Sequence, residues 1–136
     1  IAVYKGYVLK FPVETGDAAC GVRQNEYEER ISRLLEEDKD LEDAIPVINK
    51  VVYTYRGINV YKKLNTDLEF MINKAGVKNV DELQNHINVE YGWRLSCLFD
   101  YEDLDEEDAL RYKNWGYDEE EETFKCIDYG ISFSED

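Results

Sequence analysis

Residues 51–64 read VVYTYRGINVYKKL, and this stretch decides the fold class. Two runs rich in Val, Ile and Tyr flank Arg56-Gly57. A two-residue linker ending in Gly between such runs is the signal of a β-hairpin. The reading pairs Val51–Tyr55 antiparallel with Ile58–Lys62. Upstream, Tyr27, Ile31, Leu34 and Leu35 recur at helical spacing behind Asn25, which reads as a helix cap. A turn and a short helix broken near Pro46 then lead into the hairpin. Downstream, TDLEFMINKAG, started by Asn65 or Thr66, and NVDELQNHINVEYG, capped by Asn79, read as two helices. WRLSCLF reads as a buried strand and DLDEEDALRYKNWG as a helix. TFKCIDYGISFS reads as one or two closing strands, and Ala2–Val13 as a single opening strand. VETGDAACGVRQN, with Gly16 and Gly21, reads as a loop. The expectation is α+β: a single domain over residues 1–136, with a mainly antiparallel sheet and several short helices.

Charge is the unusual property. Thirty-one Asp and Glu against sixteen Lys and Arg give −15. The excess is segregated: residues 26–43 carry −6 and residues 100–136 carry −12, while 1–25 and 44–99 carry +1 and +2. Solubility alone does not require such segregation, because spread charge serves it equally well. Direct binding of nucleic acid through a basic surface is disfavoured, since it needs Lys and Arg against phosphates. No run of eighteen apolar residues is present, so no membrane partner is expected. The opening IAVYKGYVLKF lacks the apolar core and cleavage site of a secretory leader, so a cytoplasmic location is expected.

Cys20, Cys97 and Cys126 show no CxxC spacing, and His86 is the one histidine, so no metal and no cofactor is expected. A calcium loop started at Asp103 meets Asp108 where Gly belongs and Asn114 where Glu belongs. No nucleophile elbow or Ser-His-Asp order appears, so no catalytic residue is nominated and the chain reads as no enzyme.

The acidic segment at 100–122 is left as the candidate interface. Carboxylates at i and i+3 or i+4 stand about 5–6 Å apart on a helix, a spacing close to that of neighbouring phosphates. Asp103, Glu106 and Glu107, with positions flanking Arg111, are read as one stripe, extended beyond Gly116 by Glu119, Glu120, Glu121 and Glu122; Asp105 and Asp108 join them as candidate partner-binding residues. Glu26, Glu29, Glu36 and Glu37 are read as a second. Of the eleven tyrosines, Tyr101, Tyr112 and Tyr117 lie inside the acidic block with Trp115, and Trp115 or Tyr117 is read as an apolar anchor for a partner.

The run DYEDLDEED…NWGYDEEEE resembles, in kind, the acidic stretches of DNA mimics from phages and mobile elements, the anti-CRISPR and antirestriction proteins. The resemblance implies a small, acidic, cytoplasmic, non-enzymatic inhibitor that blocks the nucleic-acid site of a defence enzyme. It covers about 25 residues without a defining motif, so it transfers no residue roles. The alternatives are an immunity protein that neutralises a basic nuclease toxin, or an acidic adaptor. The inhibitor and immunity readings both require a basic protein partner. Oligomeric state is not legible in the sequence.

Overall fold

Arg56 and Gly57 adopt φ of 51° and 80°, the mirror-image turn whose twist matches the strands it joins. Val51–Tyr55 (β3) and Ile58–Lys62 (β4) pair antiparallel as expected, with a register shift between Val51 and Tyr53. The computed structural model describes residues 2–12, 20–101 and 106–127. The opening segment is a second hairpin rather than one strand. Lys5 and Gly6 repeat the turn chemistry with φ of 46° and 82°, joining Ala2–Tyr4 (β1) to Tyr7–Lys10 (β2). β2 lies against β4, giving an antiparallel sheet in the order β1-β2-β4-β3. Val13 lies outside the described residues.

Strand alternation puts Val8, Lys10, Asn59 and Tyr61 on one face and Tyr7, Leu9, Ile58 and Val60 on the other. The first face is covered by Cys20–Glu37 (α1), whose Ile31 and Leu35 are buried. Asn25 is not its cap. The helix begins five residues earlier, and the buried Asn25 Nδ2 donates to the Lys10 and Gly57 carbonyls, each at 2.8 Å. Tertiary bonds to both hairpins thus fix a segment whose Gly21 argued for a loop. Residues 13–19 of that expected loop lie outside the described residues.

A 3₁₀ helix, Lys39–Val47, follows, with Asp38 Oδ1 accepting from Asp40 N at its start. Pro46 sits next to its last residue, so it removes a donor without breaking the segment. Leu68–Ala75 (α2) is capped by Asp67, not Asn65 or Thr66. Asn65 instead exchanges two backbone hydrogen bonds with Tyr117. Val80–Glu90 (α3) starts at Asn79 as expected. WRLSCLF is not a strand. It forms the 3₁₀ turn Gly92–Leu95 and the start of Ser96–Tyr101 (α4), burying Leu95 and Leu98 at a spacing of three. Short apolar runs do not distinguish buried helix from buried strand by periodicity.

The expected helix over DLDEEDALRYKNWG is also cut short. Helix is described at Glu106–Ala109 (α5) and as a 3₁₀ turn at Tyr112–Asn114. Asn114 Nδ2 takes the Asp108 carbonyl at 2.7 Å, and Trp115 Nε1 takes the Ala109 carbonyl at 2.8 Å. These side chains occupy the carbonyls that further helix would use. The chain then extends into a last hairpin, Trp115–Asp118 (β5) with Thr123–Cys126 (β6). Expected strand residues beyond Ile127 lie outside the described residues.

Two backbone links seat this hairpin. Asn49 N donates to the Cys126 carbonyl at 3.0 Å, and the Asn65–Tyr117 pair brings β5 beside the chain leaving β4. The approach is close at Gly116, where a Cβ would lie 2.9 Å from Leu64 Cβ. Gly116→Ala is therefore expected to cost about 1–3 kcal/mol by overpacking. Urea unfolding measures it; an unchanged midpoint and slope would show that β5 shifts freely.

Candidate functional site

The acidic turn is built around one buried carboxylate. Asp118 ends β5 fully buried, and its Oδ1 accepts from the Glu120 and Glu121 amides at 3.0 and 3.2 Å. An Asp that accepts amides two and three residues on is a common way to close a tight turn. The same Oδ1 receives Lys62 Nζ at 3.0 Å, and Oδ2 lies 3.1 Å from Lys125 Nζ. Burial works against the charged carboxylate. The hydrogen bonds from Lys62, Lys125 and the Glu121 amide outweigh it and hold the carboxyl well below the usual range. Burial likewise opposes the charged form of Lys62, but its bonds to Asp118 and Glu120 raise its pKa.

The rest of the turn points outward. Glu119, Glu120, Glu121 and Glu122 are all exposed. Glu120 pairs with Lys62 at 3.2 Å and Glu121 pairs with Lys125. On α5, Glu106 and Glu107 are exposed, while Asp108 is half-buried and 3.7 Å from Arg111. Among the described residues Glu106, Glu107, Glu119 and Glu122 have no ion-pair partner. Asp103 and Asp105 lie outside the described residues. Of the stripe expected from sequence, the described residues place Glu106, Glu107 and Asp108 on one helical turn and Glu119–Glu122 in the turn of the last hairpin.

Trp115 and Tyr117 are not surface anchors. Trp115 is 1% and Tyr117 9% exposed. Trp115 packs on Tyr91, while Tyr117 stacks edge-on with Phe70 and Phe124, their centroids 5.8 and 5.1 Å away. Burial raises the Tyr117 hydroxyl pKa. The strand alternation of β5 does not hide one face only, because all four of its residues are buried. Among the described residues the exposed aromatics are elsewhere: Tyr4, Tyr7, Tyr53 and Tyr55 of the sheet, Phe11 just past it, and Trp93. Sequence reading missed them because it weighed aromatics by their nearness to acids rather than by strand parity.

Two further features frame the site. A cleft of about 350 Å³ beside the covered sheet face is lined by Lys10, Lys62, Lys63 and Lys113, with Tyr61 and Ile127 among its apolar walls. Glu28, almost fully buried, accepts from Lys10 Nζ at 3.1 Å and from the Tyr61 hydroxyl. Among the described residues no group of three or more His, Cys, Asp or Glu is placed to hold a metal, and no helix is long and apolar enough to cross a membrane. Cys97 and Cys126 are free thiols. No family model, no curated protein and no solved structure matches this chain.

The Asp118 clamp has a definite pH signature. A carboxyl depressed in the folded state stabilises above its unfolded pKa of about 3.9 and loses that contribution as pH falls below it. Asp118→Asn is expected to cost about 3 kcal/mol at pH 7, as for a broken buried pair. The gap from wild type should narrow as pH falls from about 5 toward 2. Denaturant unfolding across pH reads both; a gap independent of pH would remove the charge from the explanation.

Proposed function

We propose that the protein is a non-enzymatic inhibitor that sets its carboxylates against the basic nucleic-acid groove of a partner enzyme, such as a defence nuclease. It then competes with DNA or RNA for that groove, in the manner of the anti-CRISPR and antirestriction mimics. The supporting observation is the set of exposed carboxylates at Glu106, Glu107, Glu119 and Glu122 that no internal cation among the described residues satisfies. Their charge is left for a partner. Glu120 and Glu121 add to it at small cost, because exposed pairs such as 81%-exposed Glu120 with Lys62 are worth only about 0–1 kcal/mol. An arginine-lined groove can therefore recruit them by exchange.

With Trp115 and Tyr117 committed to the core, contact through this region relies on charge rather than on an aromatic plug. Charge-led association is fast at low salt and weakens as the Debye length drops below about 8 Å. The test is capture from a lysate of the host cells, followed by identification of the retained protein and challenge with duplex DNA or RNA. The expected partner is a nucleic-acid-binding enzyme released by either nucleic acid or salt. Glu106→Gln, Glu107→Gln, Glu119→Gln and Glu122→Gln together should weaken binding about tenfold or more, given a few tenths of a kcal/mol per rim charge. A partner that keeps nucleic acid bound alongside the protein, or binding unchanged in the folded quadruple variant, overturns the proposal.

A further inference from the structure

The cleft between the main sheet and the last hairpin is a feature that the acidic segment does not use. Val3, Val8 and Tyr61 are neighbours in register across β1, β2 and β4, so they share the face on which α1 packs. The helix meets mainly β3 and β4, and the hairpin end is seated by the bond from Lys10 Nζ to the Ile127 carbonyl. Beside both, this row of side chains lines a space of about 350 Å³ together with Leu64 and Ile127. Ligand pockets span about 300–1,000 Å³, so the space suits a small molecule.

Its polar lining is one-sided. Among the described residues no Asp or Glu lines the cleft, whereas Lys10, Lys62, Lys63 and Lys113 do. In a chain with nearly twice as many acids as bases, that is a local reversal of charge. Two of the four lysines are spent, Lys10 on Glu28 and Lys62 on Asp118 and Glu120. The Asn49 and Asn114 amides are committed to the Lys62 and Asp108 carbonyls. The Lys63 and Lys113 ammonium groups have no ion pair or hydrogen bond among the described residues, and both residues are exposed. An ammonium group only donates, and its strongest partner is an anionic acceptor. The net charge of −15 does not forbid an anion here, because fields in physiological salt fade over about 8 Å.

We propose that this cleft binds a small organic anion. One ring or branched chain packs against Val3, Val8, Tyr61 and Leu64, and one carboxylate or phosphate is held by Lys63 and Lys113. Burial of the apolar body supplies affinity, and the lysines select for charge. Two uncommitted ammonium groups are too few for a nucleic-acid backbone, which needs a groove lined with cations. The cleft shares Lys62 alone with the clamp of the acidic turn, so its test is independent of the inhibitor reading.

The probe is phenylpropionate, titrated into the full chain and followed by backbone amide shifts. Phenylpropanol keeps the ring without the charge, and inorganic phosphate keeps charge without the ring. Saturable shifts are expected at Val3, Val8, Tyr61 and Leu64, with a dissociation constant on the order of a few millimolar for so small a ligand. The alcohol should bind about fivefold more weakly, and phosphate should leave the apolar positions unmoved. Lys63→Gln with Lys113→Gln should weaken phenylpropionate about fivefold or more and leave the alcohol unchanged. A dispersed amide spectrum verifies that the double variant folds, and the two single variants carry the test if it does not. Wild-type amides that do not shift, as would follow if residues 128–136 filled the cleft, overturn the proposal. Equal affinity for acid and alcohol, or unchanged affinity in the folded lysine variants, also overturns it.

Discussion

The Asp118 carboxylate, held between Lys62 and Lys125, is the interaction on which the rest of the structure turns. Lys62 is the last residue of β4 and Lys125 lies in β6, so one buried side chain ties the main sheet to the final hairpin. It also accepts the amides that shape the run of four glutamates. Two opposed cations and two amides are what make a fully buried carboxylate tolerable, because an isolated one would neutralise instead. The exposed glutamates are thus displayed by a turn whose base is a carboxylate matched by two lysines. A clamp of this kind separates two roles that look identical in sequence: Asp118 organises, and Glu119–Glu122 present charge.

The sheet repeats the device on its covered face. Lys10 reaches from β2 to Glu28 of α1 and to the Ile127 carbonyl at 2.9 Å, joining sheet, helix and hairpin end. Asn25 and Asn59 complete this network: Asn59 Nδ2 donates to the Asn25 carbonyl at 2.8 Å and to the Tyr61 hydroxyl at 3.2 Å. The lysines of the sheet are therefore ties to acids carried by other elements, which explains how acid-free strands fit a chain of net −15. Buried polar groups of this kind stabilise only when each is satisfied, and they fix one packing among many. The apolar core, with Ile31, Leu83, Ile87, Leu98 and Trp115, supplies the driving force around them.

The fold class was legible because Arg56-Gly57 between β-branched and aromatic runs has one common solution. The same reasoning applied to Lys5-Gly6 would have found the first hairpin, since basic-Gly pairs occupy both turns. Other errors have tertiary causes that no local pattern carries. Asn25 looked like a cap because its side-chain bonds to Lys10 and Gly57 lie 15 and 32 residues away. The helix expected through residue 116 stops because Asn114 and Trp115 turn their side chains back onto its carbonyls. At the site, the exposed acids were legible as acids, whereas the burial of Trp115 and Tyr117 was not. It depends on Tyr91, Phe70 and Phe124 arriving from other segments. Asp118 hid among five consecutive acids that composition cannot tell apart.

A double-mutant cycle on Asp118 and Lys62 tests the central claim most directly. Unfolding free energies of Asp118→Asn, Lys62→Gln and the double variant, set against wild type at neutral pH, isolate the coupling between sheet and hairpin. Residues in one buried ion network are expected to couple by about 1 kcal/mol or more, so the double variant should lose clearly less than the two single losses combined. Losses that add to within about 0.5 kcal/mol would mean that the two groups act independently. The display of the acidic turn would then have to rest on backbone pairing alone.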